Sequence, residues 1–413
     1  MNTKSVLSPI LSCMACGSPD HLSLVLSLGH QSPANLLLFN SGDKSPVYPL
    51  ALKRCGQCGH GQLTHAVSPD VLYKDYNYAS GTSRTLNAYL EFFADECMDL
   101  LPPGSSVLEI ACNDGSLLRK LEDRTLFTFG VDPAINLTDI ARDKHRVRVK
   151  TGMWPQKPPI GPYTSYDLVI AQNVLAHGPE PLRFLEGIKN VLSPDGLCVI
   201  QTSQAHMLEN GEFDTIYHEH YSYFTVSSMT WLASRAGLRL RAVREVSVHG
   251  GSFVFILDCP ESDGVDISNF LASGSFVVRS EIPKFGSDRD YAKFHQLATS
   301  RVNEIRTELG KAQQEGKHIA VIGAAAKAVV VMNTVGILPH GVYDEADLKI
   351  GKWIPGIGKQ IQALKEISDI SGPVFAVIGA WNFSQELKAK VKALRPDKET
   401  EFLTYFPDIE VST

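Results

Sequence analysis

Short, largely apolar runs alternate with longer mixed stretches through the middle of the chain. Ser106-Val-Leu-Glu-Ile-Ala111 reads as a buried strand, runs into Cys112-Asn113-Asp114-Gly115, and hands over to a helix beginning near Ser116. Phe127-Thr-Phe-Gly-Val131 is a second strand, ended by Asp132-Pro133. Tyr166–Ala171 and Gly196–Gln201 are later ones, with helical segments between them, including Glu180–Val191. The pattern starts again late in the chain. His318–Gly323 is an apolar strand continued by a helix over Ala324–Val331, Gly341–Asp344 is strand-like, and Pro373–Gly379 is a buried strand leading into Trp381-Asn382-Phe383. Strands that alternate with helices predict α/β units with largely parallel sheets. Residues 285–316 are charged and lack strand character, which predicts a helix joining the two sheets. Residues 1–75 carry Pro33, Pro46 and Pro49 and predict irregular structure with short strands.

Length and charge narrow this picture. A chain of 413 residues suggests two or three domains, expected at 1–75, 76–245 and 246–413. The net charge of −6, with no clear Lys/Arg stripe, opposes nucleic acid or an acidic membrane as partner. No run approaches the twenty apolar residues of a membrane helix, and Ser5–Leu11 is too short and too broken by Pro9 for a secretory core. Eight cysteines in so long a chain do not form a disulfide scaffold. A cytoplasmic monomer is the expected state.

Cysteine spacing is the sharpest chemical signal. Cys13-Met-Ala-Cys16 and Cys55-Gly-Gln-Cys58 each present two thiolates from one turn. Together they complete a four-sulfur site, the usual arrangement of a structural zinc ion. The separation between the pairs exceeds that of short zinc fingers, so the site is a clip. A closed thiolate shell leaves no open position, and catalysis is expected elsewhere.

Glu109–Gly115 is the second signal. Cofactors bind just beyond the carboxyl ends of strands in an open α/β sheet, and Gly115 lets the backbone approach one. The spaced glycines of a dinucleotide fingerprint are missing, so a cofactor without a pyrophosphate fits better. Asp132 stands where it can accept from a ribose diol, or else forms the turn before Pro133.

Tyr217-His218-Glu219-His220 places four proton-active groups in four residues, flanked by Phe213 and Phe224. Either histidine suits proton transfer near neutrality. An extended segment would point both to one face and a helical one would not, so the residues alone do not separate them. A structural polar network is the plainer reading, and the spacing is not the helical His-Glu-x-x-His metal signature. His249-Gly250-Gly251-Ser252 precedes a strand at Phe253–Ile256 and offers close backbone approach with two polar groups, or a strand-entry bend. Lys327, at a helix beginning after Gly323-Ala-Ala-Ala, suits a diphosphate, or is an exposed helix lysine. Tyr76 and Tyr78 are half-buried boundary aromatics or part of a lid over a polar substrate.

Glu109–Gly115 resembles the first motif of class I S-adenosylmethionine (SAM) methyltransferases, with Ala111 where that family has glycine. Ala171–His177 resembles the family's loop after the fourth strand. Downstream, the four-cysteine module, Tyr217–Phe224, His249–Ser252, Gly323-Ala-Ala-Ala-Lys327 (Ala325 standing for the usual proline) and Trp381-Asn382-Phe383 occur in the order found in sugar C-methyltransferases acting on nucleotide-linked keto-deoxysugars. The resemblance spans nearly the whole chain. It implies an N-terminal zinc-binding module, a class I methyltransferase Rossmann-like domain and a C-terminal Rossmann-like α/β domain. The implied cofactors are SAM and one structural Zn2+. SAM is assigned to Glu109, Ala111, Asn113, Asp114, Gly115, Asp132 and Asn173. The sugar nucleotide is assigned to Tyr76, Tyr78, His177, His218, His249, Ser252 and Lys327. His220 is implied as general base with Tyr217 and Glu219 assisting. The implied reaction is methylation of a carbon, C-3, beside the keto group of an NDP-4-keto deoxyhexose through an enolate. An O- or N-methyltransferase acting on a sugar nucleotide is the competing expectation.

Overall fold

A computed structural model describes residues 6–73, 84–157, 160–272, 274–279, 282, 285–336 and 338–413. Tyr76 and Tyr78 lie outside them. The central sheet has eight strands: β1 (Ser106–Ile110), β2 (Phe127–Asp132), β3 (Val149–Thr151), β4 (Tyr166–Gln172), β5 (Leu192–Thr202), β6 (Arg239–Val246), β7 (Ser252–Asp258) and β8 (Val277–Arg279), in the order β8-β6-β7-β5-β4-β1-β2-β3. β1 through β5 pair in parallel, while β7 is antiparallel to both β5 and β6. The parallel strands are covered on both faces, which is why they read as continuous apolar runs. Chain order reverses between β1 and β4, and their carboxyl ends open the crevice used by ligands in such sheets. This sheet draws strands from both sides of residue 245.

The late pattern forms a second sheet: β9 (His318–Ile322), β10 (Gly341–Asp344), β11 (Ile361–Ala363), β12 (Val374–Ile378), β13 (Thr400–Thr404) and β14 (Glu410–Ser412), ordered β11-β10-β9-β12-β13-β14 and parallel except for β14. The expected connecting helix spans Asp288–Gln314. Its Ser287 cap accepts from the Asp290 N–H while Asp290 reaches back, closing both ends of a capping box. Its buried residues Tyr291, Phe294, Ala298, Arg301, Ile305, Leu309 and Ala312 recur at helical spacing. The helix predicted over Ala324–Val331 runs over Ala326–Val335, because Gly323 turns the chain first at φ +91°.

The N-terminal module is more regular than its prolines suggest. Strands Leu22–Gln31, Tyr48–Cys55 and Gly61–Leu63 form an antiparallel sheet, and a fourth strand, Ser222–Tyr223, joins it from the middle of the chain. The segment directly after His220 is thereby stitched to the cysteine module. Among the described residues no helix is long and apolar enough to cross a membrane.

Candidate active site

The four cysteines converge. Cys13 and Cys58 Sγ lie 3.5 Å apart, Cys16 and Cys55 Sγ 3.6 Å apart, and all four sulfurs lie within 4.8 Å of one another. Zn–S bonds of ~2.3 Å in a tetrahedron place sulfurs ~3.8 Å apart, so the donor set fits zinc. Each knuckle closes in the same way: Gly17 N–H donates to Cys13 O and Gly59 N–H to Cys55 O, with the glycines at φ +84° and +73°. Beside the cluster, His60 is buried with Nε2 3.3 Å from the Ser222 hydroxyl, and its ring centroid lies 5.0 Å from that of Phe224.

The second constellation lies at the carboxyl ends of β1 and β2. Asp132 Oδ2 accepts the Asn113 N–H and its Oδ1 the Ala134 N–H, so the carboxylate shapes the loop it faces. The loop needs that support. Ala111 and Asn113 sit in the left-handed region at φ +58° and +52°, and Gly115 follows at +77°. Asp114 Oδ1 accepts the Ser116 N–H. Glu109 is buried, its Oε2 has no partner, and burial, reinforced by the charges of Asp114 and Asp132, drives its carboxyl well above the usual range. Burial also raises Asp132 against the pull of its two backbone bonds. Three clustered carboxyl groups with an orphaned oxygen suit a ligand carrying cationic centres, which SAM has in its sulfonium and ammonium groups. At the end of β4, Asn173 adopts φ +52° with Oδ1 buried and unpartnered, beside the unpartnered Gln172 Nε2. Sequence reading passed over Ile135 and Met153. They are 68% and 58% exposed, and Met153 follows Thr151, the β3 partner of Asp132. Their exposure beside an acidic strand end is set by the fold and leaves no mark in the sequence.

The Tyr217–His220 segment is neither strand nor helix. It is a turn closed by His220 N–H to Tyr217 O at 2.9 Å, and the two histidines acquire different surroundings. His220 Nδ1 lies 2.9 Å from the Thr215 carbonyl, which only accepts, so in the neutral ring Nδ1 carries the proton. Nε2 is then an acceptor, 2.7 Å from the Tyr217 hydroxyl. Burial first, then the neighbouring His177 and Lys327, hold His220 well below the usual histidine range, only partly opposed by the Thr215 carbonyl. The His177 ring stands perpendicular to it, 4.9 Å between centroids. Tyr73 Oη reaches both the His177 and the Glu219 carbonyls, at 3.0 and 3.2 Å. Glu219 is 2% exposed, accepts the Asn35 N–H through Oε1, leaves Oε2 without a partner, and is pushed up to about 7 by burial. His218 is buried edge-on to Tyr48 of the zinc module and is pushed down to about 4 by burial. The His218 ring lies at the seam with the zinc module, and both of its ring nitrogens are buried without a hydrogen-bond partner.

The C-terminal domain closes on the same place. Trp381 Nε1 donates to the buried Asp214 Oδ2 at 2.8 Å, while Asp214 Oδ1 has no partner. Lys327 Nζ sits 4.4 Å from the centroid of the Trp381 ring, buried and without a hydrogen-bond partner. Its charge acts on Glu212, Asp214, His220 and His249. Gly250, at φ +83°, lies against the Trp381 ring, where a Cβ would come within 2.5 Å. His249, at φ +59°, is pushed down to about 4 by burial and then by Lys327. Ser252 is fully buried and its hydroxyl donates to the Val248 carbonyl inside the turn. Asp344, at the end of β10, accepts the Ala324 and Ala346 N–H groups as Asp132 accepts its own pair, but Lys349 Nζ lies 3.4 Å from its Oδ2.

Comparisons with known proteins agree with this architecture. A methyltransferase domain model matches residues 78–243, a C-methyltransferase C-terminal domain model matches 247–407, and a zinc-binding domain model matches 13–73. The protein is a SAM-dependent methyltransferase built on the class I Rossmann-like fold, and its last domain matches the C-terminal domain of C-methyltransferases. It is similar to the C-methyltransferase NovU of Streptomyces niveus, 29% identical over 97% of this chain and 94% of the relative. Among solved structures it is similar to a TehB-like SAM-dependent methyltransferase from Corynebacterium glutamicum (20% identity, 43% of this chain and 93% of that one, TM-score 0.31). Another is a SAM-dependent methyltransferase from Clostridium acetobutylicum (11% identity, 46% and 95%, TM-score 0.35).

Proposed function

We propose that this protein methylates a carbon, C-3, beside the keto group of an NDP-4-keto deoxyhexose. The observation that carries this reading is the convergence of His220, Tyr217, His249 and Lys327 at the junction of the methyltransferase and C-terminal domains. Glu109–Gly115, Asp132 and Asn173 would hold SAM, which would supply an electrophilic methyl group. The acceptor carbon must first become nucleophilic, and loss of its proton to a base gives an enolate.

His220 fits the base. Its Nδ1 proton is fixed by Thr215, so Nε2 carries the free electron pair. Taking the substrate's C–H proton at Nε2 displaces the Tyr217 hydroxyl from that nitrogen. The freed hydroxyl can donate to the keto oxygen as it becomes an enolate, a contribution of several kcal/mol in comparable sites, on the order of 3. The lowered basicity of His220 in the empty site comes partly from Lys327. A diphosphate paired with Lys327 offsets that charge and makes the imidazole a stronger base once substrate is bound. Glu219, poised near neutrality, assists by orienting a sugar hydroxyl, and His177 and His249 line the acceptor.

Incubation with SAM and a panel of NDP-4-keto sugars, followed by mass and NMR analysis, tests this. A new C-methyl singlet on a quaternary carbon is the expected product signal. An O-methyl or N-methyl signal would overturn the carbon assignment.

A further inference from the structure

Outside the groups already described, one histidine faces two acceptors at once. His206 follows β5. Its Nε2 lies 2.5 Å from Glu245 Oε1, and its Nδ1 lies 3.1 Å from the Gly250 carbonyl oxygen. A carbonyl cannot donate, and neither can an ionised carboxylate. Glu245 is held ionised: burial opposes its charge, but His206 and Arg279 outweigh burial and keep its carboxyl below the usual range. Both ring nitrogens must then carry protons, and the ring is an imidazolium. The Glu245 bond raises His206 above the ordinary histidine value against the opposing pull of burial, with Glu212 and Glu209 adding to the rise.

Among the described residues the charged groups around it are few. Glu245 comes from β6 and Arg279 from β8, where Arg279 bonds Glu245 at 2.6 Å and Glu209 at 2.9 Å. Glu209 and Glu212 come from the segment that follows His206. On the turn opposite, His249 is the one titratable group, and it is neutral at physiological pH. The contact with that turn is tight: a Cβ on Gly251 would meet His206 Nδ1 at 2.6 Å. Ala205 N–H also donates to the Gly251 carbonyl, at 3.3 Å. The His249–Gly251 turn is thus held by His206 and Ala205 on one side and by the Trp381 ring on the other.

We propose that His206 is a positioning residue for methyl transfer, an imidazolium bridge between Glu245 and the Gly250 carbonyl that fixes the His249–Gly251 turn against Trp381 and presents it preformed to the acceptor. Loss of one proton leaves a single donor for two acceptors, and the turn loosens. Since the folded value lies above the ordinary one, the bridge is complete below pH ~6.5 and is lost as pH rises through the folded pKa. The inference rests on the proposed function only in taking this turn as part of the acceptor site.

His206→Gln tests it, because an amide donates from one nitrogen and opposes the second acceptor with its own oxygen. The wild-type acceptor KM should climb as pH rises through the His206 transition. The variant should show an acceptor KM about 10-fold higher, the scale of one charge-assisted hydrogen bond, flat with pH, and an unchanged SAM Kd. A second readout needs no substrate. With 5-fluorotryptophan incorporated, the Trp381 resonance, assigned by its absence in W381F, should shift with pH in the wild type and stay fixed in H206Q. Glu245→Gln should move that transition to lower pH, and it serves if H206Q does not fold. A Trp381 resonance that follows no titration, or an H206Q protein with the wild-type KM and pH profile, would overturn the role. If no variant turned over any keto sugar nucleotide, the functional reading would fail while the Trp381 resonance still decided the bridge.

Discussion

His220 and His218 have the same side chain two positions apart, and the turn at Tyr217 gives them different chemistry. One keeps an acceptor nitrogen against a tyrosine hydroxyl, and the other fills a seam against Tyr48. Replacing His220 with asparagine should leave SAM binding near normal and slow turnover at least ~100-fold, the lower end for loss of a general base. Deuterium at the acceptor carbon should wash out with wild type and persist with H220N; near-normal turnover by H220N would move the base to Tyr217. Glu219 gives a pH prediction. Its folded value near 7 lies above the usual carboxylate range, so the folded state keeps a proton that the unfolded state loses between pH ~4.5 and 7. Stability should therefore fall as pH rises through that window, by an amount on the order of 3 kcal/mol at about 1.36 per unit. Melting curves of Glu219→Gln should lack this slope. Ala111 carries the strain that glycine would not: Ala111→Gly should raise the melting temperature, by a gain of roughly 1 kcal/mol. A lowered melting temperature would show that the methyl group packs more than it strains.

At the scale of elements, the two-residue strand Ser222–Tyr223 has consequences beyond its length. It pairs with Gly61–Leu63, and His60 reaches Ser222 from the cysteine knuckle, so the zinc clip holds the end of the segment that carries His220. Removal of zinc by a chelator, or Cys55→Ser, should raise hydrogen exchange over 213–224 as well as over the knuckles. The β1–β2 loop should still bind SAM in any protein that stays folded. Protection at 213–224 that survives metal loss would show that this strand is held without the clip. The sequence made the clip legible because CxxC spacing is local, and the long strands legible because burial on both faces leaves unbroken apolar runs. It could not show Ser222–Tyr223, since a strand that short has no periodicity and its partner lies far back in the chain. The same reason hides the 206–245–279 bridge, whose members read singly as ordinary surface charges. The bond from the Ser252 hydroxyl to the Val248 carbonyl is equally hidden, since the two meet only once the turn closes.

Across the whole molecule, the proposed acceptor site is an interface. The body built on the central sheet contributes Glu212, Asp214, the Tyr217–His220 turn and the His249–Gly251 turn, while the body built on the second sheet contributes Lys327 and Trp381. The indole makes the join in three ways: Nε1 bonds the buried Asp214, its face receives the Lys327 ammonium, and its edge fills the space left by Gly250. Burial already raises Asp214, and the Trp381 and Lys327 contacts oppose that rise. Trp381→Phe keeps most of the packing and removes the donor, leaving both carboxylate oxygens without a partner. An unsatisfied buried group costs roughly 1–3 kcal/mol, so the two domains should dock less firmly. The proposed SAM site at the ends of β1 and β2 does not include the indole, so the SAM Kd measured by calorimetry should not change. The acceptor KM should rise about 10-fold or more, corresponding to at least ~1.4 kcal/mol, with a smaller fall in kcat because His220 and Tyr217 keep their own bonds. Asp214→Asn in the same background should recover part of the loss, since a neutral amide needs no charged partner. A W381F protein with weakened SAM binding and an unaltered acceptor KM would place the role of the indole in the methyltransferase domain alone.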